Sequence, residues 1–378
     1  MEDQPLYKRI YNALLEKISS GEYAPGARLP AEKELCETFG VSRITSKRAL
    51  ELLADQGLVI RRPGKGTFVN ANFQSRGYIS SVPAIGLVIP DFSDSFGTKL
   101  IYGIEESCTA LGYQLVIKRT RDRAKEEEEA LNSLAGAAGI LLLPIHGDIY
   151  NSEILKLVLE KRALVFVDRR MRGLAAPVVT TNNLEAAMDG ASYLLQLGHR
   201  NMAFFSGPVR HTSTVEDRYQ GFIQAFAKFG ISHNPAYLCE ELSSIWTWPF
   251  YSPKGIQADV DIAAKFLKAR PEISAAFAAE YSMALIVKAA AETLGRQVPK
   301  DFSIITFDAP PAITGIPPIT HLAQDEYAIG KTAVETIHRI ITRTDTASDG
   351  VVIPAKLVVG SSTGPREARK SRQQDSQN

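Results

Sequence analysis

Arg43 and Lys47 stand four residues apart in the stretch VSRITSKRAL, so a helix through them carries both cations on one face. Residues 41–70 hold six basic side chains (Arg43, Lys47, Arg48, Arg61, Arg62, Lys65) against two acidic ones (Glu51, Asp55). The whole chain of 378 residues carries a net charge of only +1. A local excess of this kind suits a phosphate backbone if the fold gathers it on one face. A second set of polar residues sits directly behind apolar runs: Asp91, Ser93 and Phe96 after IGLVIP, His146 after GILLLPI, Asp168 and Arg169 after ALVFV. Open parallel sheets bind ligands beyond the carboxyl ends of their strands. Both sets are equipment for binding, not for making bonds. No nucleophile elbow, P-loop or metal cluster is found, and Cys36, Cys108 and Cys239 are scattered without ligand spacing. The expectation is a protein that is not an enzyme and needs no cofactor.

The elements that must position these residues fall into two groups. Leu6, Ile10, Leu14 and Ile18 recur every fourth residue and predict a helix over 5–20. Pro30 suits the first position of a second helix that ends at Gly40. Ser42 is a good cap for a third, running to about Gln56 with Ala49, Leu52 and Leu53 inward. LVIRRPGKGTFV then reads as a hairpin around a Pro-Gly-Lys-Gly turn. Beyond a polar linker the pattern changes to short apolar runs (IGLVIP, YQLVIKRT, GILLLPI, ALVFVDRR, MAFFSGP, SAAFAAE, FSIITFDA) alternating with helical segments. That alternation predicts parallel sheets covered on both faces, and its length predicts two lobes. The run Glu126–Glu129 reads as a solvated helix face. The expected domains are a winged-helix domain at 1–70, a linker at 71–82, a two-lobed α/β domain at 83–361 and a disordered tail at 362–378. The opening MEDQPLYKRI is not a secretory signal and no apolar stretch approaches the roughly 18 residues of a membrane span, so a cytoplasmic location away from membranes is expected.

The segment LPAEKELCETFGVSRITSKRALELLADQGLVIRRPGKGTFV closely resembles the DNA-binding domain of the GntR family. That family runs Leu-Pro-(Ser/Ala)-Glu, Val-Ser-Arg-x-Thr-Val-Arg-x-Ala-Leu and a Gly-x-Gly-Thr-Phe-Val wing. Ser46 stands here for the usual Val and Lys47 for the usual Arg; lysine keeps the charge but not the bidentate fork. The resemblance implies a winged helix whose third helix presents its amino end to base edges in the major groove. Arg43 can then read guanine bidentately, Ser42, Thr45, Lys47 and Arg48 hold bases or phosphates, and Arg28 adds a phosphate contact. Gly64 and Gly66 let the wing backbone approach DNA, with Lys65 at its tip.

Residues 84–360 resemble the effector-binding domain of LacI/GalR-type repressors, itself related to periplasmic sugar-binding proteins. IGLVIPDFSDSF, VFVDRR, LGHRNMAFFSGP, DRYQGFIQAF, VPKDFSIITFDAP and PPITHLAQDEYAIGKTA match its landmarks in order. A GntR-type head on this body resembles the arabinose repressors. The resemblance implies an α+β winged helix plus an α/β type I periplasmic-binding-protein-like domain, whose two Rossmann-like lobes are linked by three crossovers. The effector then lies in the cleft between lobes. Arg218, three residues before Gly221, matches the family's sugar-binding arginine, Asp308 its hydroxyl-binding aspartate, and Gln324 a cleft residue. Trp246, Trp248, Phe250 or Tyr251 can supply the apolar face a sugar needs. Glu280-Tyr281 stands where the family often has Asn-Asp; a carboxylate there disfavours acidic ligands and points to a neutral sugar.

The expected function is a homodimeric repressor of carbohydrate-utilisation genes, bound to near-palindromic operator DNA and released by a neutral sugar such as a pentose. An effector outside the sugars is the alternative. A GntR head on a pyridoxal-dependent body is a weaker rival, because neither a longer linker nor a recognisable Schiff-base lysine is present.

Overall fold

The computed structural model describes residues 5–19, 21–55, 57–70, 82–91, 96–147, 151–208, 212–244, 252–309, 318–344 and 350–366. The chain divides into two units, Met1–Ser81 and Val82–Asn378.

In the first unit, the four-residue apolar repeat forms α1 (Leu6–Ser19), which buries Ile10, Leu14 and Ile18. The second helix, α2 (Glu32–Phe39), starts later than Pro30. Ala31 flanks it, and the Ala31 N–H donates to Glu34 Oε2 at 2.7 Å, so the first helical turn forms beyond the proline. Gly40, at φ 64°, closes α2 in the left-handed conformation. In α3 (Arg43–Asp55) the buried face is Ser46, Ala49, Leu50 and Leu53. Leu50 takes the inward place expected of Leu52, because steps of three and four residues from Ser46 lead to it. Strands β1 (Val59–Arg62) and β2 (Gly66–Val69) pair antiparallel, from Val59 opposite Val69 to Arg62 opposite Gly66. Arg28 bridges to Phe68, adding a short third edge to this wing.

Among the described residues, the second unit holds two six-stranded sheets. The first comprises β3 (Ala84–Ile89), β4 (Gln114–Arg119), β5 (Gly139–Leu142), β6 (Leu164–Val167), β7 (Val178–Thr181) and β13 (Val351–Ile353). Its order is β13-β7-β6-β5-β3-β4, all neighbours parallel. The second comprises β8 (Met202–Phe205), β9 (Leu238–Cys239), β10 (Ala275–Ala278), β11 (Ser303–Phe307), β12 (Thr320–Ala323) and β14 (Lys356–Val358). Its order is β14-β12-β11-β10-β8-β9, parallel except for the β12–β14 pair. Helices α4 (Thr98–Ala110), α5 (Ala124–Ser133), α6 (Ser152–Leu159) and α11 (Glu326–Thr342) cover the first sheet. Helices α7 (Asn183–Gln196), α8 (Ser213–Lys228), α9 (Pro253–Lys268) and α10 (Tyr281–Thr293) cover the second.

Among the described residues the chain passes between the lobes three times, at Asn182, at Gln324–Asp325 and at Pro354–Ala355. Asn182 Oδ1 accepts from the Ala355 N–H at 2.8 Å, tying the first passage to the third. One glycine matters to the site. A Cβ on Gly221 would lie 2.0 Å from the Leu184 carbonyl oxygen, so only glycine lets α8 approach α7 this closely.

Two further expectations need correction. Glu127 is not on a solvated face: it is 1% exposed, accepts from the Ile145 N–H and stands beside the Asn151 amide. A five-residue stretch of the supposed tail is ordered. Ser362 Oγ donates to the Ile304 carbonyl at 2.6 Å, and the Gly364 N–H donates to Ser303 Oγ at 3.1 Å. The Arg366 N–H donates to the Leu197 carbonyl at 2.7 Å. The polar tail begins by satisfying buried polar groups of the second lobe, a requirement that composition does not reveal.

Candidate functional site

The amino end of α3 is built for exposure. Ser42 Oγ accepts from the Thr45 N–H at 3.3 Å and lies 2.8 Å from Thr45 Oγ1, so the cap fixes where the helix starts. Arg43, Lys47 and Arg48 are exposed on this helix. Lys47 Nζ lies 3.6 Å from Glu51 Oε1, and Arg61 of the wing reaches Glu51 at 3.5 Å and Glu32 at 2.6 Å. The Arg48 guanidinium lies over the Tyr7 ring at 5.3 Å. In the wing, Gly64 has φ 71° and open space around it. Gly66 has φ 117°, and a Cβ there would lie 2.9 Å from Arg28 Nε. Gly66 thus also makes room for Arg28, whose side chain lies against the wing. This unit therefore presents an exposed helix end, an open glycine turn and cations, of which Lys47 and Arg61 pair with Glu51 and Glu32.

In the second unit, Arg218 of α8 is 5% exposed. Its Nε donates to Asn183 Oδ1 at 2.7 Å and its Nη1 to the Ala279 carbonyl at 2.8 Å. Its guanidinium carbon stands 3.8 Å from the Phe307 ring centroid. Burial lowers its pKa, while Asp168, Asp308 and Glu280 pull it upward. Asp168 follows β6 and Asp308 follows β11, the fourth strand of each lobe in chain order. Both adopt positive φ, 64° and 56°. Each backbone N–H donates to the next strand, Asp168 to the Val179 carbonyl and Asp308 to that of Leu322. The two lobes therefore offer matching aspartates, in strained backbone, to one arginine. Asp308 accepts from the Gln324 backbone N–H at 3.2 Å and from Gln324 Nε2 at 2.6 Å. Burial pushes Asp308 up to about 7 against the pull of Arg218 and Gln324. Asp168 Oδ1 and Gln324 Oε1 are buried acceptors with no hydrogen-bond donor among the described residues. This buried cluster is thus short of donors for its acceptor oxygens.

Residues 6–69 match the sequence profile of bacterial regulatory proteins of the gntR family. Residues 191–363 match that of a periplasmic binding protein-like domain. The chain couples a GntR-type DNA-binding domain to a LacI-type domain. The arabinose metabolism transcriptional repressor of Geobacillus stearothermophilus is 25% identical over 371 residues, spanning 95% of this chain and 98% of that protein. Catabolite control protein A of Priestia megaterium is 26% identical over 294 residues, 77% of this chain and 85% of its own length. A LacI family regulator from Enterococcus faecium, solved with bound ribose, superposes with a TM-score of 0.61 at 21% identity, covering 75% of this chain and all of that one. The Geobacillus relative is named a transcriptional repressor. This chain is a DNA-binding transcription regulator.

Against the GntR pattern, the serine in place of valine at 46 is accommodated internally. Ser46 is buried, and its hydroxyl donates to the Arg43 carbonyl at 3.1 Å and lies 3.3 Å from Cys36 Sγ. Against the LacI-type cleft, the expected residues divide. Arg218, Asp168, Asp308, Glu280 and Gln324 come together. Glu280 flanks the start of α10. Asp91 is held by Arg119 at 2.8 Å, and Phe96 packs against the first lobe's core. His146 is paired: its N–H donates to Asp122 Oδ1 at 2.7 Å and its Nδ1 lies 3.0 Å from Asp122 Oδ2. Burial raises the Asp122 pKa, but His146 and Arg169 outweigh it and hold the carboxyl low. Ser93 and the aromatics Trp246, Trp248, Phe250 and Tyr251 lie outside the described residues.

Sequence reasoning missed Asn183, Asp122 and a clasp between lobes. Arg170 donates to both oxygens of Asp217 at 2.7 Å, and Arg172 pairs with Glu216. The adjacent arginines behind ALVFV and the Glu-Asp pair ahead of Arg218 were the available signal, but nothing in the sequence pairs them across 44 or more positions.

Proposed function

We propose that this regulator represses carbohydrate-utilisation genes and leaves its operator when a neutral sugar, such as a pentose, enters the cleft. The observation that carries this reading is Arg218 set between Asp168 and Asp308, with acceptors at Asp168 and Gln324 unsatisfied by the protein. A sugar offers many hydroxyl donors and no charge to be buried. Glu280 beside Arg218 weighs against phosphorylated ligands, since two like charges in a low-dielectric cleft repel strongly. The name of the arabinose repressor aligned along 95% of the chain and the ribose in the Enterococcus structure support the sugar class.

The three interlobe passages act as the hinge in this proposal, and the ligand closes the lobes about them. Operator and sugar then affect each other's affinity reciprocally. The regulator works as a homodimer in the cytoplasm, with Arg43, Lys47 and Arg48 contacting two operator half-sites. Thermal unfolding against neutral pentoses, hexoses, sugar phosphates and nucleosides tests it. A bound ligand at a hundredfold excess over its Kd stabilises by about 2.7 kcal/mol. A shift with one neutral sugar, lost in Asp308→Ala, is expected. A shift only with a phosphorylated or nitrogenous compound, or none at all, overturns the neutral-sugar reading.

A further inference from the structure

Ile44 is the most exposed large apolar side chain among the described residues, at 81%. It sits in the first turn of the recognition helix α3, where a β-branched residue contributes little to helix formation. The buried face of α3 runs through Ser46, Ala49, Leu50 and Leu53. At 100° per residue Ile44 points almost directly away from that face, so it does nothing for the core. Its neighbours three and four residues on are Lys47 and Arg48, both exposed. Arg43 and Thr45 flank it, and the Ser42 cap fixes the helix end on which it stands. An apolar side chain is thus framed by cations at the helix end that the DNA-binding reading of α3 sets against base edges. Local rules of patterning are broken here without structural compensation, and such breaks concentrate at functional positions.

We propose that Ile44 reads the C5-methyl group of a thymine in the operator half-site and so helps set sequence specificity. The chemistry is complementary in both parts. The major groove presents few apolar groups, and the thymine methyl is the one that an aliphatic side chain can recognise. The surrounding cations neutralise the phosphates on either side and hold the helix in register, while the isoleucine and methyl exclude water from each other. Arg43 and Lys47 cannot supply this discrimination, because their donors read acceptor atoms that uracil and thymine share. The inference rests on the DNA-binding reading of α3.

The full-length protein is used to select duplexes from a random library, and each thymine of the selected half-site is then replaced by uracil. That swap removes the methyl and keeps every hydrogen-bonding group. One replacement is expected to weaken binding about fourfold, the effect of losing one buried methyl group. Ile44→Ala binds the thymine and uracil duplexes equally and keeps the salt dependence of the parent, since no phosphate contact changes. Ile44→Asn, which brings a bidentate partner for adenine, shifts the base selected at that position. Exposure makes both variants neutral to folding, which calorimetry verifies. If no replacement matters, or if Ile44→Ala keeps the same sensitivity, Ile44 is not the reader. If the parent enriches no sequence at all, the DNA-binding reading falls and takes this inference with it.

Discussion

The winged helix and the cleft use the same ingredients, arginine or lysine beside carboxylates, in opposite dielectric settings. On the winged helix, Lys47, Arg61, Glu51 and Glu32 form a chain of exposed ion pairs. Such pairs contribute only about 0–1 kcal/mol each, because water competes for every charge. A phosphate can therefore displace an acid from a cation at little cost, and the surface is ready to exchange partners. In the cleft, Arg218 is buried among Asp168, Asp308 and Glu280 with its hydrogen bonds committed to Asn183 and Ala279. There the charges cannot be rearranged cheaply, so the arrangement is preorganised, and in the proposed function it selects its ligand by donor geometry. In the proposed function one site recognises by exchange of ions, the other by completion of a buried network.

The sharpest way to break that contrast is to remove a cation from each side. Arg218→Met leaves carboxylates buried without their partner, and about 3 kcal/mol of the second unit's stability should go with it. Calorimetry should also show the sugar-induced shift lost. Unchanged stability would mean that Arg218 does not stabilise the carboxylates buried around it. Arg43→Ala, by contrast, should leave the melting profile unaltered while operator affinity drops about tenfold to a hundredfold, as for loss of a bidentate base contact. Fluorescence anisotropy with a selected duplex measures it.

Titration separates the two settings further. Burial holds the Asp308 proton up to about 7, above the ordinary carboxylate value of 3.8. The native state therefore binds a proton that the unfolded chain has already released. Stability contributed by that proton is complete below about 4 and lost as pH rises through about 7. Ligand hydroxyls prefer the ionised carboxylate, so sugar affinity should climb by up to tenfold per pH unit below 7 and level off above it. Isothermal titration across pH 5.5–8.5 (about these limits) checks this, and Asp308→Asn should flatten the profile. The smallest effect belongs to Lys47→Ala: it should lower the slope of log affinity against log salt by about 1 with little change in stability. A variant that altered melting but not the salt slope would place Lys47 among structural residues.

The positions of the charged residues on α3 and behind the strands were legible in the sequence, because helical spacing and apolar runs act locally. Ser42, Arg43 and Lys47 fall where the cap and the four-residue step put them. The strands β7, β9, β12, β13 and β14 were not legible as strands. They are two to four residues long and take their identity from the sheet edge or neighbour they join. Glu127 was misread because its neighbours Glu128 and Glu129 are solvated and only the fold brings Ile145 and Asn151 beside it.

What the sequence determined by itself was the architecture: a winged-helix pattern, then an alternating βα pattern long enough for two lobes. Periodicity and turn residues carry that information within a dozen residues of chain. The cleft was decided by tertiary structure alone. Asp168, Arg218 and Asp308 lie far apart in the chain, and their meeting depends on three passages between lobes and on the glycine at 221 that lets α8 close on α7. Whether a carboxylate is screened, paired or held neutral depends on which atoms displace water from it. That is a property of the packed molecule, and no stretch of sequence contains it.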